Sequence, residues 1–232
     1  KIALKQHGIA RPLYDDANLR ALINFCARKL QRQFESRDVQ FLQLYLQYCL
    51  IQHHLGNTPE FSPVQRSWTQ SRGEYFTAQE IVRHWKRRVP QGTHSDEQLF
   101  LALLFMMLRT PDPVMDKHQQ DQRLRRAIVR MIARFRAQTG MNFSDEQGLT
   151  DQLYIHLAQA LDRSLFDIGI DNSLPEEIHR LYPRLLRTTK EALFELEAEF
   201  GLRFSGEEMA LVAVIFGAWL MQETRSEEHT SE

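Results

Sequence analysis

Histidine and carboxylate side chains are where this chain would do proton or metal chemistry, and their spacing excludes most of it. His53 and His54 are adjacent at the end of an apolar helical stretch. Neighbours on a helix point about 100° apart, so they make a poor chelating pair. No second ligand cluster supports a metal site. The pairs Glu176–Glu177 and Glu207–Glu208 stand at helix starts, where negative charge complements the helix dipole without acid–base work. His156 stands three residues from Leu153 and seven from Leu149, on or beside a buried helical stripe. Taken alone, it reads as a core histidine with a satisfied hydrogen bond. Catalytic templates are absent: there is no glycine-rich phosphate loop, G-x-S-x-G elbow, H-E-x-x-H or C-x-x-C. The chain is expected to be no enzyme, to bind no metal and to need no cofactor.

Arg126, Arg130 and Arg134 recur at steps of four, which places them on one helix face. A solvent face is the first explanation; a phosphate-tracking surface for direct nucleic-acid binding is the alternative function. A formal net charge of −1 over 232 residues gives that alternative no global support. The basic stretch Arg83–Arg88, with Trp85 inside it, is explained as a solvated helix end.

These residues sit on elements that are nearly all helical. Leu19, Leu22, Ile23, Cys26 and Leu30 recur at steps of three and four, as one buried helix face requires. Residues 41–51 are apolar enough to predict a helix buried on most sides. Gly56, Asn57 and Pro59 then break the pattern. Further helices are predicted over 76–88 and 95–109, and over about 115–137, ending near Gly140. Leu149, Leu153, Leu157 and Leu161 mark another helix. Two more follow over about 175–182 and 184–200, with Gly201 as a C-cap, and Ser205 opens the last. No run alternates with period two, so a sheet is not expected.

Residues 34–108 fall on 145–219 at a constant offset of 111, with Leu42 on Leu153, Glu80 on Glu191, Glu97 on Glu208, Ala102 on Ala213 and Phe105 on Phe216. One supersecondary design used twice predicts an all-α fold of two tandem bundles of about five helices each. The expected divisions are 1–110 for the first copy and 111–224 for the second. Residues 225–232 (RSEEHTSE) are what the start of a common sequencing adapter would encode, and are expected to be an appended, disordered tail. The chain begins at Lys1 in mid-pattern, so an upstream segment is expected. A 43% hydrophobic fraction with 25% charged residues suits a soluble globular protein. No apolar run reaches the roughly 18–20 residues of a membrane span. Cys26 and Cys49, inside apolar patterns, read as buried free thiols in a reducing cytoplasm.

The segment Leu153–Leu220 resembles a PTS regulation domain, the helical module of sugar-responsive antiterminators and activators. The residues that carry the resemblance are Leu153-Tyr154-Ile155-His156-Leu157, Arg163 and Asp171-Asn172-Ser173-Leu174. Tyr182-Pro183, Glu197 with Gly201, and the run from Glu207 to Phe216 complete it. The resemblance implies that His156 accepts a phosphoryl group from the phosphocarrier HPr or an enzyme IIB. A phosphoryl group carries nearly two negative charges and needs cationic neighbours. Arg163, two helical turns on, would serve if its side chain folds back. The family's second histidine follows its glutamate by seven residues, and Ile215 stands there. In the first copy the acceptor positions are Tyr45 and Leu104, and Gln52 stands where the second copy has Arg163. The resemblance therefore implies a regulatory homodimer with His156 as its sole remaining acceptor. Nucleic acid would be contacted only through the upstream segment.

Overall fold

In the computed structural model, residues 16–56, 60–88 and 95–230 are described. They form ten helices and, among the described residues, no strand. The chain divides into two units, Lys1–Leu108 and Arg109–Glu232. The first holds α1 (Asp16–Leu30), α2 (Ser36–His54), α3 (Pro63–Gln70), α4 (Gly73–Arg88) and α5 (Ser95–Met107). The second holds α6 (Gln119–Thr139), α7 (Glu146–Leu165), α8 (Leu174–Leu181), α9 (Pro183–Phe200) and α10 (Gly206–Thr230). Among the described residues this is the expected all-α fold, with five helices in each unit.

The offset of 111 carries α3 onto α8 residue for residue and the first residue of α5 onto the first of α10. Helix pairings repeat as well: α1 packs on α2 and α4, α4 on α5, and α3 on both α4 and α5, as α6 to α10 do in the same order. The lead helices obey a different offset. Gln31 ends α1 at φ 54° and Gly140 ends α6 at φ 69°, a separation of 109. At 109, Leu22, Ile23 and Cys26 fall on Met131, Ile132 and Phe135, and all six are buried. Two residues are thus inserted after α6. An ungapped match from residue 34 is corrected accordingly: Phe34 corresponds to Phe143, not Asp145. The rings confirm it, because Phe34 stacks on Phe105 at 6.3 Å and Phe143 lies 6.4 Å from Phe216.

Local chemistry explains the elements that sequence periodicity placed badly. The spacing passed over α3, whose eight residues are too few for a periodic signal. Its start is nonetheless specified by Pro63 at the first position and a capping box between Ser62 and Gln65. Helix α6 starts later than expected. Asp112 Oδ1 accepts from the amides of Val114 and Met115 and ties that stretch into a turn, and His118 then caps the helix. Helix α2 is not buried on most sides: Phe41, Leu44 and Tyr48 are exposed while Leu42 and Gln43 are buried. At the other end α10 runs on to Thr230, so the expected disordered tail is corrected over 225–230. Extending an existing helix costs far less than starting one, and residues 231–232 lie outside the described residues.

Arg109, expected to close the first helical copy, belongs to the second unit. Its guanidinium is 4% exposed and hydrogen-bonds to Asp116, to Asp121 Oδ1 at 3.0 Å and to the Tyr154 hydroxyl at 2.9 Å. Tyr154 donates to Asp116 Oδ2 at 2.6 Å. Burial first, then the bond to Asp116, pushes the Tyr154 hydroxyl pKa up, so it stays a donor. Gln159 Nε2 donates to the Arg109 carbonyl at 3.0 Å. The segment entering the second unit is thereby fastened to α7, the helix that carries His156. No helix of the described residues is long and apolar enough to cross a membrane.

Candidate functional site

His156 and Arg163 project from α7, and Glu208 from the first turn of α10. Ser205 fixes that turn by accepting from the Glu208 amide at 3.2 Å. The Glu208 carboxylate, 4% exposed, takes a two-point grip from Arg163: Nε to Oε1 at 2.6 Å and Nη2 to Oε2 at 3.1 Å. Paired charge-assisted bonds of this geometry are among the stronger side-chain contacts. His156 Nε2 lies 3.2 Å from Glu208 Oε2, and its side chain is 15% exposed. That approach has the distance of an ion pair but not the angle of a hydrogen bond, and Nε2 is sealed from solvent. Burial pushes the Glu208 carboxyl up, but the contacts from His156 and Arg163 outweigh it and hold it below the ordinary carboxylate value. The result is a buried anion between a fixed cation and an imidazole.

Glu208 is the residue that sequence reasoning misread, since its place in a first helical turn already accounted for a negative charge. The signal that could have found it is its identity with Glu97 across the repeat. Arg163 shares Glu208 with His156, but it reaches across to α10 rather than folding back along α7.

The surrounding motif residues shape the loops. Asn172 Oδ1 accepts from the Leu174 amide at 3.1 Å ahead of α8. Glu197 Oε2 accepts from the Phe204 amide at 2.9 Å, bracing the left-handed turn at Gly201, φ 64°. Gly201 therefore caps α9 as its type predicts.

The other expected positions fall apart from this cluster. Tyr45, at the place of His156, stacks on Phe100 at 5.7 Å and meets Phe41 at a tilt at 6.2 Å, and Phe61 meets Phe100 edge-on at 5.6 Å. Leu104 is buried in the first core, and Ile215 is half-buried on α10. The arginine ladder is largely engaged: Arg130 pairs with Glu199, and Arg134 Nη1 with Glu195 Oε1 at 2.5 Å, while Arg126 is exposed. Cys26 is buried and its Sγ contacts the Leu22 carbonyl at 2.9 Å; burial pushes its thiol up to about 12. The side chains of Cys49, His53, His54 and Trp85 lie outside the described residues.

The PRD domain model matches residues 20–107 and again 129–219. The chain belongs to the PRD family. Both copies of this PRD protein are covered, the matches beginning within the lead helices, at residue 20 in α1 and at residue 129 in α6. It is similar to the stationary phase-inducible protein CsiE of Escherichia coli (strain K12), at 62% identity over 223 residues. That match covers 96% of the chain and 52% of CsiE. It is also similar to the transcriptional regulator ManR of Bacillus subtilis (strain 168), at 25% identity over 124 residues, 53% of the chain and 19% of ManR. The PRD chain thus spans about half the length of CsiE and matches a smaller part of ManR.

Proposed function

We propose that this chain is the regulatory part of a PTS-linked transcriptional regulator, acting in the cytoplasm as a homodimer and taking a phosphoryl group on His156. HPr or an enzyme IIB is the donor, and no enzymatic turnover is involved. The observation that carries the reading is the His156–Glu208–Arg163 cluster, which puts an imidazole beside a fixed guanidinium–carboxylate pair in the second PRD. An added phosphoryl group would bring nearly two negative charges beside the buried Glu208–Arg163 pair and so bias the α7–α10 contact. A switch follows only if the two quaternary states differ in how they hold that group. Phe41, Leu44 and Tyr48, exposed on one face of α2, support pairing between chains.

Incubation with phosphorylated HPr and sedimentation test this together. Label that is lost in His156→Ala, on a chain that sediments as a dimer at micromolar concentration, is expected. Label unchanged in His156→Ala, or a strictly monomeric chain, would overturn the corresponding half of the reading. The alternative, direct nucleic-acid binding through Arg126, Arg130 and Arg134, has less support because Glu199 and Glu195 already neutralise two of the three. A salt-dependent shift of duplex DNA or RNA by this chain alone would favour it.

A further inference from the structure

We propose that Glu208 is a positioning residue that holds His156 through Nε2 and leaves Nδ1 as the nitrogen that takes the phosphoryl group. The inference rests on the reading of His156 as a phosphoryl acceptor and specifies the chemistry at that ring.

Of the ring's two nitrogens, Nε2 is the one sealed from solvent without a hydrogen-bond partner among the described residues. Glu208 Oε2 stands 3.2 Å from it. An N–P bond at Nε2 would bring phosphate oxygens into the space that this carboxylate occupies, two like charges in a buried place. By elimination, Nδ1 is the ring nitrogen that remains for an incoming group. A proton on Nε2, facing Oε2, puts the lone pair on Nδ1, as a carboxylate behind an imidazole does elsewhere. The approach is off-line in the resting site, and such contacts commonly tighten when a reacting group arrives. Arg163, gripping both Glu208 oxygens, keeps the carboxylate from turning away.

The step balances within these groups. The Nδ1 lone pair forms a bond to phosphorus while the donor's N–P bond breaks. Its electron pair stays on the donor nitrogen, which departs as a neutral amine or imidazole because it carried a proton beforehand. The His156 ring, with its Nε2 proton retained, becomes a phosphorylated imidazolium, and the Glu208 carboxylate faces the new positive charge.

The test uses the whole chain and phosphoramidate, a small N-phosphoryl donor that needs no protein partner. After reaction, the His156 phosphohistidine isomer is assigned by two-dimensional proton–nitrogen NMR on nitrogen-15 histidine-labelled protein. In a free histidine side chain Nε2 is the less crowded nitrogen, so attachment at Nδ1 is not the default result. We expect Nδ1 attachment in the unaltered chain. We also expect Glu208→Gln, with helical content unchanged, to slow labelling of His156 by about 10-fold or more, with Nε2 no longer excluded. Attachment at Nε2 in the unaltered chain, no label at His156, or an unchanged rate in Glu208→Gln would each overturn the proposal. Failure of HPr to label a chain that phosphoramidate labels at Nδ1 would overturn the regulatory reading and leave this one standing.

Discussion

At equivalent places in the two PRDs, α2 presents Tyr45 and α7 presents His156, and the surroundings differ by more than that one side chain. Around Tyr45 the repeat supplies Phe41, Phe100 and Phe61 where the second unit has Gln152, Leu211 and Asn172. Around His156 it supplies Arg163 where the first unit has Gln52. Glu97 and Glu208 are the shared element. The frame thus tolerates either an aromatic cluster or a charged triad at the same helix crossing. The first unit carries further buried charge elsewhere, at Glu74, which pairs with Arg32 at 2.6 Å and with Arg72 at 3.5 Å. Their counterparts in the second unit, Leu185, Met141 and Pro183, carry no charge. Duplication has preserved packing positions and left each copy free to place its polar groups differently.

The comparison predicts that each unit can be damaged separately. The largest effect belongs to Arg109→Ala, which leaves buried Asp121 and half-buried Asp116 without their cation. The second unit should lose about 3–5 kcal/mol, visible as an early phase in urea unfolding followed by helical content. A single unshifted transition would break the separation. Next comes acid. Burial alone would push the Glu74 carboxyl up, but the Arg72 and Arg32 charges outweigh it and bring it from 4.5 down to about 2. A carboxyl depressed on folding stabilises above its unfolded value and loses that contribution as pH falls through the folded one. The first unit should therefore lose about 3 kcal/mol between roughly pH 4.5 and 2. A Glu74→Gln chain, destabilised at neutral pH, should lack that acid slope.

Smaller effects sharpen the contrast. Glu208→Ala should cost the second unit about 2 kcal/mol, since Arg163 is 19% exposed and can turn toward water. Thermal unfolding of the variant would measure it, and a change in the first unit's transition would contradict it. Gln31 ends α1 in the left-handed region where the second copy uses Gly140. Gln31→Gly should raise first-unit stability by about 0.5–1 kcal/mol in urea titration, by relieving the side-chain clash that glycine escapes.

How much of this could be read from the residues depends on the range of the signal. Helices of three or more turns with caps, such as α7 and α9, were legible from leucine spacing and from Gly201. The two-turn α3 had no period to show, although its counterpart α8 announced it through the repeat. The slip from 111 to 109 was invisible because the identities lie after residue 34, while Phe34 and Phe143 declare their equivalence only by touching Phe105 and Phe216. Arg109 looked like a helix end because its partners lie up to 50 residues away. His156 was singled out, but Glu208 was not. A first-turn glutamate already has a sufficient local explanation, and only the crossing of α7 with α10 gives it a second one.

The most direct measurement maps phosphoryl groups on all nine histidines by mass spectrometry after exposure to phosphorylated HPr. A single modified site at His156, within the second PRD and absent from the first, is the predicted result. Modification of a first-unit histidine, with His156 unmodified, would contradict the assignment of the regulatory site to the second copy.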